Sequence, residues 1–189
     1  MASIELIATI FGLLCVALTV RQHIACWPTG LIMVSLYILI FHQARLYSDM
    51  GLQVVYVFLQ IYGWYHWLHG GRDGGVLIVS RLSGNAWLLW LGIAAVGTVG
   101  LGASMRYYTD AALPFWDAAT TVLSLIAQWL MARKILESWL IWVTVDVLSI
   151  GIYLVKGLYP TAVLYMAFLG LATLGFFAWR KTLPALQPA

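Results

Sequence analysis

The 189-residue chain is predicted to be an all-α integral membrane protein with seven transmembrane helices, arranged as two parallel three-helix repeats joined by a linking helix. Three observations predict it. Hydrophobic residues make up 63% of the chain and charged residues 9%, against about a quarter charged in an ordinary soluble domain. Seven apolar runs, each about as long as the ~20 residues needed to cross a bilayer core, follow one another with short connections from Ile4 to Trp179. A shift of 112 positions, without gaps, then lays the first three runs on the last three. It carries Thr9 onto Thr121, Leu13 onto Leu125, Arg21 onto Arg133, Trp27 onto Trp139, Tyr47 onto Tyr159, Gly63 onto Gly175 and Trp67 onto Trp179, with Glu5 falling on Asp117. Leucines match by chance in such a chain, but Trp, Gly, Tyr and Arg at one offset over three spans do not readily do so.

Taken in order, the spans are expected near 4–20, 24–43, 51–69, 86–104, 115–133, 136–156 and 160–179. Residues 1–189 form a single transmembrane domain: repeat one over 4–69, the linking helix over 86–104 and repeat two over 115–180. The first run lacks a basic leading segment and is followed by further spans, so it reads as a membrane helix and not as a cleaved signal. Pro28 and Pro114 sit at helix starts, where a missing N–H costs nothing. Gly70, Gly71, Gly74 and Gly75 follow the third span without the Gly-Lys-Ser/Thr of a phosphate cradle, and read as a flexible cytoplasmic linker. Because one span lies between the triplets, both enter the membrane in the same sense, a parallel repeat of the kind transporters use.

Charge sets the orientation. Arg21, Arg72, Arg81, Arg133, Lys134, Arg180 and Lys181 fall on one side and Arg45, Arg106 and Lys156 on the other. The positive-inside rule therefore puts the N-terminus outside and the C-terminus in the cytoplasm. The net charge of +3 is small and sits at span ends, so nucleic acid is not an expected partner; the lipid bilayer and a small molecule are. Cys15 and Cys26 have no metal-ligand spacing and make a structural disulfide improbable.

Polar residues on the spans mark the candidate site. Asp117, Thr121, Ser124 and Gln128 form one helical stripe on the fifth span, and Trp142, Asp146, Ser149 and Tyr153 another on the sixth. Gln53, Tyr56, Gln60, Trp64 and Trp67 share a face of the third. A carboxylate at a helix centre costs about 2.5–3.5 kcal/mol on insertion scales, so such faces should turn to a protein interior or a watery cavity. A cavity lined by aromatic rings near a carboxylate suits a flat, cationic, hydroxyl-bearing ligand, with cation–π attraction adding about 0.5–2 kcal/mol. Gln60, Trp64, Asp117, Thr121, Ser124, Gln128, Trp142, Asp146 and Tyr153 are the expected pocket lining. The rival readings are interhelical hydrogen bonding for Gln60, Gln128 and Asp146, helix capping for Asp117, and a lipid-interface belt or structural role for Trp27, Trp67, Trp139 and Trp179.

Catalytic and metal signatures are lacking. His66 and His69 stand one turn apart with no third ligand nearby, no Ser-His-Asp or His-Glu-x-x-His pattern occurs, and no cofactor is expected. The lysines all lie at span ends, which removes a Schiff-base photoreceptor from consideration. A membrane-embedded sensor that binds without transporting remains the rival class.

QIYGWYHW at 60–67, PFWDAATTVLSLIAQWLMARKILESWLIW at 114–142 and KGLYPTA at 156–162 resemble the Pnu family of bacterial vitamin transporters over nearly the whole chain. The resemblance implies a 3+1+3 core related to the SWEET sugar transporters, a homotrimer with one pathway per protomer, and facilitated diffusion with cytoplasmic phosphorylation trapping the vitamin. The family's nicotinamide riboside members carry Asn where this chain has Gln60, Glu-Asn-Trp where it has Glu137, Ser138 and Trp139, and Asn where it has Asp146. Other members carry thiamine. Both vitamins hold a quaternary ring nitrogen and a hydroxyl, so both stay open on the residues.

Overall fold

The computed structural model describes residues 2–43, 45, 47–110 and 112–183, and for Ala2, Tyr47, Ser48 and Arg72 the backbone alone, so the Tyr47 side chain of the repeat match and the Arg72 charge lie outside the described residues. Seven helices run in chain order: α1 (Ala2–Val20), α2 (Cys26–Gln43), α3 (Tyr47–His69), α4 (Gly84–Tyr108), α5 (Pro114–Ala132), α6 (Ser138–Val155) and α7 (Tyr159–Arg180). The largest departures from expectation are the start of α3, expected at 51 and found at Tyr47, and the end of α4, expected at 104 and found at Tyr108. Apolarity marks where a span enters lipid, whereas the helix itself continues into polar residues. Asp49 in the first turn of α3 favours such an extension by complementing the positive helix end.

By length and composition alone, α1, α2, α4, α6 and α7 are apolar enough to cross a membrane. α3 and α5 carry two of the three polar stripes, and these two pack on one another. Within each triplet neighbours pack in sequence, α1 on α2 on α3 and α5 on α6 on α7; α1 meets α7, α3 meets α5, and α4 lies against α5.

The connections match in detail. After α1, Gln22 N–H donates to Thr19 C=O at 2.9 Å and His23 N–H to Leu18 C=O at 2.9 Å. After α5, Lys134 N–H donates to Met131 C=O at 2.9 Å and Ile135 N–H to Leu130 C=O at 3.0 Å. Gln22 and Lys134 are both left-handed, with φ of 54° and 56°, the conformation that ends a helix by closing its last carbonyls. Arg45 (φ 58°) and Gly157 (φ 72°) turn the chain alike after α2 and α6. Every one of these pairs is 112 positions apart.

Four indoles form the core at the end of the bundle where α3, α5 and α7 stop. Trp27, Trp67, Trp139 and Trp179 are each 2% exposed or less, so they belong to the interior and not to an interface belt. Trp27 meets Trp67 edge-on at 5.2 Å, Trp67 meets Trp179 at 5.8 Å, and Trp179 meets Trp139 edge-on at 5.4 Å, geometries that suit the ring quadrupoles. Trp67 Nε1 donates to Met131 C=O at 3.1 Å and Trp179 Nε1 to Thr19 C=O at 3.0 Å. Each bond crosses from one triplet to the other. Gly63 and Gly175 make room for this layer: a Cβ at Gly63 would run into the Trp27 ring, and one at Gly175 would stand 2.6 Å from Trp139. Each glycine thus receives a ring from the neighbouring helix, Gly63 from α2 and Gly175 from α6.

The glycine-rich segment after α3 is not a free linker. A 3-10 turn at Arg72–Gly74 leads into an extended strap. Leu77 N–H donates to Trp67 C=O at 3.1 Å, Ser80 N–H to Lys134 C=O at 3.1 Å, and Ser80 C=O accepts from Leu136 N–H at 2.9 Å. Val79, within the strap, is 2% exposed and joins the tryptophan core. Lys134 Nζ donates to Leu77 C=O at 2.9 Å and lies 4.6 Å over the Trp67 ring, with burial pushing its ammonium below the ordinary lysine value. Glu137 accepts from Arg81 Nε at 3.1 Å and from Leu82 N–H at 2.8 Å. Residues read as orientation charges therefore also fasten this segment over the tryptophans.

Candidate functional site

Ser124 on α5 brings the third and fifth helices together. Its Oγ donates to Thr121 C=O at 2.9 Å and lies 2.6 Å from the Tyr56 hydroxyl of α3. A serine has one hydroxyl proton, and it is spent on the carbonyl, so Tyr56 must be the donor between them. Thr121 donates back to Asp117 C=O at 2.9 Å along its own helix.

From the sixth helix, Asp146 and Ser149 face inward, 4% and 5% exposed. Among the described residues Asp146 makes no hydrogen bond and no ion pair. Tyr153, two turns along the same helix, has its ring 5.1 Å from that of Tyr165 on α7, and Tyr165 is within electrostatic reach of Tyr153, Asp146 and Tyr56. Helices α3, α5, α6 and α7 thus supply a common interior region with a carboxylate and several phenols. An uncompensated carboxylate inside a bundle is costly and attracts a cation.

The other expected residues divide. Gln60 is 5% exposed with its amide against Gly30 of α2, where any Cβ would collide with it, and Gln128 is 9% exposed; neither side chain makes a hydrogen bond among the described residues. Asp117 instead pairs with Lys156 at 3.3 Å, linking the start of α5 to the end of α6. That carboxylate has its counter-charge already, at a part-exposed position. Trp64 and Trp142 are partly buried against the tryptophan core, and Trp64 also lines a shallow groove of about 260 Å³ with Ile61, Tyr65, Leu68 and His69. His66 stacks on Tyr62 at 5.3 Å and His69 on Tyr65 at 4.7 Å.

Two contributors were not singled out as lining. Tyr56 lay on the recognised stripe of α3, and Tyr165 on a helix with no stripe of its own. The 112-position shift carries Gln53 of that stripe onto Tyr165, so the repeat held the signal.

Known proteins bear on this arrangement. Residues 2–181 match the family model for the nicotinamide mononucleotide transporter. The nicotinamide riboside transporter PnuC of Escherichia coli is 32% identical over 93% of this chain and 84% of its own length. PnuC of Neisseria mucosa is 29% identical over 93% and 71%, and the riboflavin/roseoflavin transporter RibM of Streptomyces davaonensis 26% identical over 98% and 90%. A crystal structure of the vitamin B3 transporter PnuC superposes with a TM-score of 0.77 at 28% identity, covering 96% of this chain and 82% of that one. With an all-helical bundle, membrane-length apolar helices and a match spanning nearly all of its residues, the chain belongs to the nicotinamide mononucleotide transporter family of multi-pass membrane transporters.

Proposed function

We propose that this protein carries nicotinamide riboside across the bacterial inner membrane by facilitated diffusion, with phosphorylation in the cytoplasm trapping the vitamin. The observation that carries the reading is the interior Asp146 carboxylate, without a cation partner among the described residues and within electrostatic reach of Tyr165, which Tyr153 and Tyr56 also approach. Nicotinamide riboside brings a flat pyridinium cation, a carboxamide and ribose hydroxyls. Asp146 balances the ring charge and the phenols offer cation–π faces. Gln60, Gln128, Ser124 and Ser149 supply donors and acceptors to carboxamide and sugar. Riboflavin, the substrate in the name of one relative, is uncharged and would leave that carboxylate uncompensated, which favours the cationic vitamin.

Transport by rocking of two parallel three-helix units, linked by α4, is supported by the 112-position correspondence of turns, glycines and indole hydrogen bonds. On this reading Trp67 to Met131 and Trp179 to Thr19 close the inner end, and both bonds part when it opens. The N-terminus lies outside and the C-terminus inside, as the basic loops argue. Assembly is homotrimeric; the exposed Leu88, Leu89, Val96 and Val99 on α4, whose main packing among the described residues is on α5, support a face available to neighbouring copies.

Reconstitution tests it. Purified protein in liposomes should equilibrate radiolabelled nicotinamide riboside without an ion gradient, in amounts far above protein stoichiometry, and accumulate it further when a riboside kinase and ATP are enclosed. Saturation at stoichiometry would mean a sensor; preference for thiamine or riboflavin in parallel vesicles would replace the substrate.

A further inference from the structure

A hollow of about 230 Å³ opens at the tryptophan end of the bundle, lined by Arg81, Leu136, Phe176, Arg180 and Leu183. It is separate from the Asp146 region, and the transport reading uses none of these residues. Two arginines line this one small space; both are exposed, so water screens their repulsion, and the two positive charges make the space attractive to an anion. Arg81 is held in place: its Nε is bonded to the Glu137 carboxylate at 3.1 Å, and Glu137 is itself 3% exposed and fixed by Leu82 N–H. The remaining donors of Arg81 make no hydrogen bond among the described residues. Arg180, on the last turn of α7, makes neither a hydrogen bond nor an ion pair among them.

We propose that this hollow is a binding site for a phosphate ester, with the phosphate held between Arg81 and Arg180 and the organic part against Leu136, Phe176 and Leu183. The planar fork of arginine matches paired anionic oxygens, those of a phosphate or of a carboxylate alike; two forks lining one space can reach more oxygens than a single carboxylate offers, which suits a phosphate. Glu137 cancels one of the two positive charges, so one remains for the ligand; a phosphodiester with a single negative charge leaves the site neutral. The apolar wall is continuous with the tryptophan core, since Phe176 and Leu183 both pack against it. Basic pockets at membrane-helix ends commonly take lipid headgroups, and a soluble phosphate ester presents the same group. Because Arg81 sits on the strap and Arg180 on α7, an occupant would also tie the two together.

The test uses the full chain, purified in detergent, with thermal unfolding followed during titration by phosphatidylglycerol, phosphatidylcholine, glycerol 3-phosphate and inorganic phosphate. Phosphatidylglycerol should raise the midpoint saturably and phosphatidylcholine should not. Arg180→Gln should weaken the apparent affinity about tenfold, the loss of one charge-assisted fork. Arg81→Lys, which keeps a cation beside Glu137 but loses the fork, should weaken it by about threefold. Stabilisation by glycerol 3-phosphate or inorganic phosphate with the same Arg180 dependence assigns a soluble occupant; stabilisation by phosphatidylglycerol alone assigns a lipid. Equal effects of the two lipids, no effect of any of the four, or responses unchanged in both variants would overturn the proposal.

Discussion

Adding one methyl group to the glycines beneath the tryptophan layer should destabilise the protein in a graded way. At Gly175 the new Cβ would stand 2.6 Å from Trp139 ring atoms, and at Gly63 it would penetrate further into the Trp27 ring. Neither ring can move aside cheaply, because Trp27 is wedged edge-on against Trp67 at 5.2 Å and Trp139 against Trp179 at 5.4 Å. Overpacking of this kind costs about 1–3 kcal/mol, with Gly175→Ala toward the lower figure and Gly63→Ala at or beyond the upper. For a chain of this size each kcal/mol lowers the melting midpoint by about 2–4 °C. The assay is thermal unfolding of the purified protein, read by tryptophan fluorescence or circular dichroism. Pairing Gly63→Ala with Trp27→Leu should recover part of the loss, since the methyl then occupies vacated space, and the double-mutant cycle isolates that coupling. Midpoints unchanged within about 1 °C, or Gly175→Ala costing more than Gly63→Ala, would refute the packing argument.

Further outcomes follow from the site and the strap. Asp146→Leu should abolish measurable nicotinamide riboside binding in calorimetry, whereas Asp146→Asn, which keeps an acceptor and loses the charge, should weaken it about fivefold, roughly 1 kcal/mol. Asp117→Asn should change affinity less than twofold, because that carboxylate is engaged with Lys156 at 3.3 Å on a part-exposed surface, where such pairs contribute about 0–1 kcal/mol. Tyr56→Phe and Ser124→Ala remove the same 2.6 Å hydrogen bond; each should weaken binding about threefold to tenfold, and the double variant should be no worse than the poorer single one. Glu137→Gln should loosen the strap, read as cleavage by trypsin after Arg81 at least about tenfold faster than in the parent, from the loss of charge-assisted bonds to a buried carboxylate.

Much of the helical framework was legible because the bilayer imposes a length and an apolarity that a sequence displays directly. The tryptophan, glycine and arginine matches at one offset pointed to corresponding turns, and Gln22 and Lys134 do share a left-handed conformation. Tryptophan identity says nothing about which way a helix face turns, however, so Trp27, Trp67, Trp139 and Trp179 read equally well as interface anchors. The room for two of them, Trp27 and Trp139, comes from Gly63 and Gly175, which lie on helices other than those carrying the rings they receive. Asp117 on a polar stripe looked like a ligand group because its partner, Lys156, is distant in sequence and reaches it only through the packing of α5 on α6. The strap went unread for a similar reason: glycine-rich composition reports backbone freedom, while the bonds that remove it come from Lys134 and Glu137 on another connection.

The most direct test of the central claim is titration of the purified protein with nicotinamide riboside by calorimetry, run beside the Asp146→Leu variant under identical conditions. Saturable binding by the parent, at one site per chain, and none by the variant is the predicted result. No saturable heat with the parent, or equal affinity in the variant, would contradict the assignment of the Asp146 region as the site of a cationic vitamin.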